Sequence, residues 1–202
     1  MRTLAASLFA LFVGGAIIHA VTDGLRAFTA EGARRLRVAE RPLPVPDAAL
    51  IGAEGERLNF RALRGQVVLA EFIFTTCPTI CQDMGSAFFQ VQQAIKARRL
   101  VDDVRLLSVS FDIHDDRPED LKAYGERYNA DGRIWHIVKP ETKEDLSLLL
   151  NAFGVKVIHD PLFKFQHNAA VHVVDPQGRL VRIVDIAASQ AIEAMMTEVA
   201  RR

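Results

Sequence analysis

The chain has little cysteine, no net charge and no internal repeat. Its 202 residues include two cysteines, and 25 Lys and Arg side chains are balanced by 25 Asp and Glu. Balanced charge removes the electrostatic case for a nucleic-acid partner, and the lack of a repeat at solenoid periods excludes a repeat protein. With 50% hydrophobic residues, the composition predicts one globular domain plus a tail. Nothing in the sequence predicts a stable oligomer, so we expect a monomer.

Both cysteines lie in one short segment. Cys77 and Cys81 follow the apolar run 67–74, at a point where a strand is expected to give way to a helix. Residues four apart share one helix face, with roughly 5 to 6 Å between Cβ atoms, so the sulfurs can form a disulfide or bind one soft metal ion. A disulfide across so short a loop removes little chain entropy, which makes a purely structural bridge a poor stabiliser. Two inert buried cysteines remain the other alternative.

The amino-terminal part is unlike the rest of the chain. Residues 4–21 form an uncharged, largely apolar run, just long enough to cross a hydrocarbon core of roughly 30 Å. We therefore assign residues 1–22 to a membrane anchor or signal segment and residues 23–44 to an Arg- and Pro-rich linker. The folded domain is expected at residues 45–202. The arginines after the apolar run conflict with export under the positive-inside rule, although long translocated domains often ignore such charges, and export is preferred.

Apolar runs and helical periodicities alternate along the folded part. Strands are expected at residues 50–51, 58–60, 67–74, 104–111, 134–138, 169–174 and 180–184. Helices are expected at residues 80–100, 118–128, 143–153 and 193–202, the second opened by Asp116 as its cap. The near-continuous apolar runs at residues 67–74 and 104–111 predict strands that are buried on both faces. The pattern predicts an α/β protein of thioredoxin-like fold, with a central mixed sheet flanked by helices and preceded by the hydrophobic anchor.

A helix amino terminus favours thiol chemistry, because free N–H groups and the helix dipole stabilise a thiolate. An ordinary thioredoxin has a C-x-x-C spacing and a proline before its last hairpin. This chain has C-x-x-x-C instead, no proline between Pro161 and Pro176, and His167 on the approach to the hairpin. Two thiolates and one imidazole form a trigonal set that suits Cu(I) and adapts to Cu(II) with an added ligand, whereas structural zinc usually requires a fourth protein ligand.

Three stretches carry a family resemblance. Residues 72–81, residues 108–112 with Asp116 and Pro118, and residues 167–178 resemble the Sco/SenC family of copper chaperones, in order and spacing, over roughly residues 45–202. The specific part is the CPxxC motif with the later histidine. The resemblance implies a thioredoxin-like fold, membrane tethering, and delivery of copper or reducing equivalents to the copper centre of cytochrome c oxidase.

The family's site residues map onto this chain one by one. Cys77, Cys81 and His167 match the three copper ligands, and Asp112 and Asp116 match acidic positions in the loop beside the site. If residues 167–174 form one regular strand, His172 lies on the opposite face from His167 and does not reach the same metal. Of the other histidines, His114 is expected to face water, and His136 and His159 are expected to be structural or surface residues.

The chain departs from the family pattern at three positions. Gln82 stands where a second proline usually follows the second cysteine, and Asp115 replaces the basic residue common in the middle of the acidic loop. Gln166 replaces the acidic residue often found before the ligand histidine. Loss of that carboxylate is expected to retune metal binding, because partners of the ligands orient them.

Three functions follow in order of preference. The first is a membrane-tethered metallochaperone that binds one copper through Cys77, Cys81 and His167, with its folded domain in the bacterial periplasm or the mitochondrial intermembrane space. The second is a thiol-disulfide oxidoreductase that reduces a partner's cysteines, with Cys77 as nucleophile and Cys81 as the other member of the redox dithiol; a thiol peroxidase is a weaker enzymatic alternative. The third is a binding domain with an inert dithiol. The expected partner is a cytochrome c oxidase subunit or another protein that carries copper or thiols.

Overall fold

The computed structural model describes residues 2–77 and 80–201, and within these ranges a few side chains lie outside the description. Those side chains belong to Arg2, Ala5, Ala6, Ile80, Cys81 and Gln82. The described chain forms two compact units, Met1–Arg41 and Pro42–Arg202.

The first unit contains two helices, α1 (Arg2–Val21) and α2 (Ala30–Glu40). Apolar side chains of α1, Phe9 and Phe12 among them, are exposed. In the described part of the chain, which leaves out some side chains of α1, no helix is both long enough and apolar enough to span a membrane. The sequence did not predict α2, which begins where the Thr29 hydroxyl accepts a hydrogen bond from the Gly32 N–H at 2.9 Å.

The second unit holds the remaining elements. Its strands are β1 (Leu43–Pro44), β2 (Leu50–Gly52), β3 (Arg57–Leu58), β4 (Val67–Ile73), β5 (Val104–Ser110), β6 (Trp135–Pro140), β7 (Val157–Asp160), β8 (Lys164–His167), β9 (Val171–Val174) and β10 (Arg179–Val184). Its helices are α3 (Ile80–Ala97), α4 (Pro118–Arg127), α5 (Lys143–Phe153) and α6 (Ala188–Val199).

Eight strands of the described chain form one mixed sheet in the order β1-β10-β9-β4-β5-β6-β2-β3. The central strands β4, β5 and β6 are parallel, while β9 runs antiparallel to β4 and β2 runs antiparallel to β6. Every residue of β4 is buried, as its near-continuous apolar run predicts for a strand covered on both faces. Leu43 and Pro44, assigned from sequence to the linker, form β1 and pair with β10.

Helices cover both faces of this sheet. On one face, Phe153 of α5 packs against Phe72 of β4 with ring centroids 5.2 Å apart. On the other face, Phe88 of α3 packs against Trp135 of β6 at 5.7 Å, and α6 packs against α3 and the sheet. The predicted helix 143–153 has the expected bounds, because Thr142 caps its start and Gly154 ends it in the left-handed conformation with φ 64°.

Two local expectations were wrong. Asp116 does not cap α4: Arg117 occupies the N-cap position, and its N–H donates to the Asp120 carboxylate at 2.9 Å. The segment before β9 is also not one regular strand, because β8 ends at His167 and pairs with β7 in a separate two-stranded hairpin. His167 and His172 therefore belong to two different strands, and the expected alternation of the two side chains along one strand is wrong.

Candidate metal centre

The candidate site lies at the carboxyl edge of the central strands. Because β4 and β5 are parallel and in register, with Ile73 opposite Ser110, the loops that follow them leave the sheet side by side. The antiparallel strand β9 begins near the same edge, since its His172 pairs with Ala70. The sheet topology therefore directs three segments to one place: the cysteine loop, the acidic loop at residues 111–117, and the chain that carries His167.

Cys77 is buried in the loop after β4, with a relative exposure of 7%. Its backbone N–H donates to the carbonyl of Phe74 at 3.2 Å. The residue also lines a cleft of about 210 Å³, together with Thr75, Thr76, Asp120, Ala123 and Arg127. This cleft gives the segment around Cys77 a path to solvent, which a thiol that exchanges a ligand with a partner requires.

The second predicted sulfur ligand is placed only through its backbone. Cys81 lies in the first turn of α3, where the sequence analysis placed it, but its side chain lies outside the described residues, as do Pro78 and Thr79. Among the described side chains, which do not include that of Cys81, no three His, Cys, Asp or Glu residues form a metal-binding group. The pairing of Cys77 with Cys81 stays a prediction.

Asp116 ties the acidic loop to the cysteine loop. Its carboxylate accepts hydrogen bonds from the Thr75 N–H at 2.9 Å and the Thr75 hydroxyl at 2.6 Å. The Ser110 hydroxyl donates to it as well, and Asp116 is only 1% exposed. Charge-assisted hydrogen bonds of this kind are stronger than neutral ones, so Asp116 fixes the backbone two residues before Cys77.

The acidic loop has cationic partners from other elements. The Lys164 ammonium of β8 contacts the Asp112 carboxylate and lies 2.8 Å from the carboxylate of Asp115. The hydrogen bond to Lys164 holds the pKa of Asp115 below its usual value. Lys139 of β6 adds a second cation, whose ammonium donates to the backbone carbonyls of Ile113 and Asp116 at 3.2 and 2.6 Å.

His167 ends β8 inside an aromatic cluster. Its ring lies 5.1 Å from that of Phe111, and Phe165 packs edge-on against both Phe111 and Phe74. Both ring nitrogens of His167 are buried, and neither has a hydrogen-bond partner in the described part of the chain. Burial lowers the pKa of His167 to about 4, so its imidazole is neutral at physiological pH. A neutral imidazole with available nitrogens is the form that binds a metal.

The remaining histidines lie elsewhere. His172 is 1% exposed and packs edge-on between Phe72 and Phe153, with Nδ1 3.3 Å from the carbonyl oxygen of Ala70. His114 and His159 are exposed, and His136 is half-buried.

Sequence reasoning missed three groups that shape the site. Thr75 is the partner of Asp116, Lys164 is the cation of the acidic loop, and Phe74, Phe111 and Phe165 form the aromatic wall beside His167. The surplus of carboxylates in the acidic loop was the available signal for a distant cation. Gln166, singled out as a departure, bonds to Asp160 across the hairpin through its amide.

Comparison with known proteins agrees with this arrangement. The SCO1/SenC family model matches residues 43–202. The chain is 29% identical over 132 residues to the SCO1 protein homolog of Bacillus subtilis, covering 64% of this chain and 67% of that protein.

Two solved structures match the fold. BsSco, a member of the Sco family of cytochrome c oxidase assembly proteins, superimposes with a TM-score of 0.69 at 23% identity, covering 80% of this chain and 96% of that one. ScoI of Arabidopsis thaliana, solved with copper bound, gives a TM-score of 0.67 at 18% identity, covering 78% of this chain and 98% of that one. These likenesses confirm the predicted thioredoxin-like fold, and the match of the family model over most of the chain shows that the protein belongs to the SCO1/SenC family.

Proposed function

We propose that this protein is a copper carrier that binds one copper ion through Cys77, Cys81 and His167 and delivers it to the copper centre of cytochrome c oxidase. The observation that carries the proposal is the state of His167, whose two buried ring nitrogens have no partner among the described residues. Leaving a buried polar group unsatisfied costs about 1 to 3 kcal/mol, so such a group calls for a ligand. Family membership and the copper-bound plant relative support the choice of copper.

The donor set fits copper chemically. Soft thiolates select Cu(I), and an imidazole suits both copper oxidation states. The Phe111 ring packs against His167, and Phe165 packs against both Phe111 and Phe74, so aromatic side chains limit water beside the imidazole. The cleft beside Cys77 leaves a route for a recipient's ligand, so the cargo can leave by ligand exchange.

The first unit supports a proposal about the location of the protein. We propose that α1 tethers the protein to a membrane and that the folded domain lies in the periplasm or the intermembrane space, facing a cytochrome c oxidase subunit. The exposed apolar side chains of α1 support a lipid environment for this helix. A structural neighbour, from Bacillus anthracis, is a SCO1/SenC family lipoprotein. Retention of the chain in carbonate-washed membranes tests the tether, and full release into the supernatant contradicts it.

The ligand assignment is tested with His167→Ala in the reduced 202-residue chain. Copper bound per protein and the Cu(II) charge-transfer spectrum are measured for the parent and the variant. The dissociation constant is expected to rise by more than about 100-fold, since even loss of a group that only orients a ligand costs roughly 10- to 100-fold. His159→Ala is the matched control, because His159 is an exposed histidine on the same hairpin. Equal copper affinity in parent and His167→Ala contradicts the assignment.

A second candidate function is thiol-disulfide exchange, favoured by the position of Cys77 on a cleft that also contains Arg127. In this reaction the Cys77 thiolate attacks one sulfur of a partner disulfide and expels the other as a thiolate. The Cys81 thiolate then displaces the partner, so that the Cys77–Cys81 disulfide forms and the partner gains two electrons. His167→Ala separates the two functions, because it should leave the rate of exchange with oxidised glutathione unchanged while copper binding falls.

A further inference from the structure

Lys164 occupies a backbone position that disfavours its side chain. Its φ of 69° lies in the left-handed region, which is unfavourable for a residue with a Cβ and favours Gly or Asn. It follows the turn of the β7–β8 hairpin, where Asp160 accepts hydrogen bonds from the N–H groups of Leu162 and Phe163 at 2.8 and 2.9 Å. A glycine would satisfy the turn alone, so the turn does not account for the presence of a lysine.

The contacts of the Lys164 ammonium explain why a lysine stands at this position. This group bridges the carboxylates of Asp112 and Asp115, and Asp112 is only 5% exposed. A buried carboxylate is costly unless it is paired. Within the acidic loop, Arg117 bonds to Glu119 and Asp120 at the start of α4. Lys139 reaches the backbone carbonyls of the loop rather than these two carboxylates.

The same loop is fixed on its other side. Asp116 binds Thr75 in the cysteine loop, and Asp112 is linked to Asp116 because its carbonyl accepts the Asp116 N–H at 2.9 Å. A continuous series of contacts therefore runs from Thr75, through the acidic loop, to Lys164. His167 follows three residues later on the same strand.

We propose that Lys164 is a positioning residue, whose bridge to Asp112 and Asp115 holds the β7–β8 hairpin against the acidic loop and keeps His167 at the edge that carries Cys77. The bridge also gives Asp115 a cationic partner, which comes from the hairpin and not from the acidic loop itself. The expected effect of Lys164 on copper affinity rests on the proposed function. Its expected effect on the stability of the β7–β8 hairpin does not.

The experiment compares Lys164→Met, Lys164→Arg and Lys164→Gln in the full chain. Without metal, amide hydrogen exchange in the β7–β8 ladder should speed up at least tenfold in the Met and Gln variants and return close to the parent rate in the Arg variant. The copper dissociation constant should rise by roughly 10- to 100-fold in the same variants, as expected when a group that orients a ligand is lost. Lys156→Met is the matched control, an exposed lysine just before β7.

The outcomes separate the positioning role of Lys164 from the proposed copper-carrier function. Parent-like hydrogen exchange in both Lys164→Met and Lys164→Gln overturns the positioning role, whatever the copper affinity of these variants. Faster exchange in these variants, combined with equal copper affinity in His167→Ala and the parent, supports the positioning role and contradicts the proposed function. Asp115→Asn removes one of the two carboxylate contacts of Lys164 and should give a hydrogen-exchange rate between those of the parent and Lys164→Met. An unchanged rate would show that Asp112 alone holds Lys164, and it would contradict the role of Asp115 in the bridge.

Discussion

Glu71 and His167 are both neutral near pH 7 because both are buried, but the side chains around them differ. Glu71 lies in the middle of β4 and is fully buried, and burial raises its pKa to about 8. His167 lies at the end of β8, and burial lowers its pKa to about 4. Removal from water disfavours the charged form of each, so the acid keeps its proton and the base stays unprotonated.

The hydrogen-bond partners of Glu71 and His167 differ. The Ser108 hydroxyl donates to Glu71 at 2.5 Å and accepts a hydrogen bond from the Trp135 indole at 2.9 Å, and Tyr124 of α4 also bonds to Glu71. His167 has no such partner in the described residues, only aromatic neighbours. A polar group bonded within the core serves the core, whereas a neutral imidazole left without partners is available to a ligand. Glu71 and His167 therefore contrast as a buried group bonded within the core through one oxygen and a buried group whose two ring nitrogens lack partners among the described residues.

The largest expected effect comes from Glu71→Gln. The folded state keeps the Glu71 proton up to about pH 8, while the unfolded state loses it above about 4.5. Stability is therefore fully present below pH 4.5 and is lost as pH rises towards 8, by up to about 1.4 kcal/mol per pH unit. The glutamine variant does not titrate, so it should match the parent near pH 5 and exceed its free energy of unfolding by roughly 3 kcal/mol at pH 8.

Urea titrations at pH 5, 6.5 and 8 check this expectation. Glu193→Gln, at an exposed position on α6, should show the pH dependence of the parent. If Glu71→Gln and the parent lose stability in parallel between pH 5 and 8, then Glu71 is ionised in the folded protein and the two groups do not form the contrast drawn above.

Asp116→Ala should have an effect of similar size and opposite sign. The substitution leaves the Thr75 N–H and the hydroxyls of Thr75 and Ser110 without their buried acceptor. We expect the free energy of unfolding to fall by about 3 kcal/mol, because buried donors without partners carry their full desolvation penalty. Asp102→Ala is the control: its pair with Arg133 is exposed, and its loss should change stability by about 0.5 kcal/mol or less. A comparably small loss for Asp116→Ala would show that the loop finds other acceptors.

Much of the fold could be predicted from the sequence, for physical reasons. The strands β4 and β5 are buried almost throughout and therefore appear as mostly apolar runs, and α5 has its cap and its terminal glycine at the expected positions. Signals of this kind are local. The cysteines and His167 were identified by residue type, spacing and family resemblance, which also do not depend on long-range contacts.

The site's supporting contacts could not be predicted in this way. The β7–β8 hairpin consists of two four-residue strands that are only partly buried, so they lack the apolar run that marks a strand. The contact of Lys164 with Asp112 joins residues that are 52 positions apart, and the contact of Thr75 with Asp116 joins residues 41 apart. Topology brings these pairs together, and a single sequence contains no local signal for it.

The smallest effect on the free energy of unfolding is expected from His167→Leu, although substitution of His167 should have the largest effect on copper affinity. The two ring nitrogens are buried and have no partner among the described residues, so an apolar side chain of similar size removes a desolvation penalty and retains the packing against Phe111. The free energy of unfolding of the metal-free variant at pH 7 should lie within about 1 kcal/mol of the parent value or above it. The exposed position in His159→Leu should be equally tolerant. A loss of more than about 2 kcal/mol in His167→Leu alone would show that the imidazole has a structural partner, and the contrast with Glu71 would then no longer identify a ligand site.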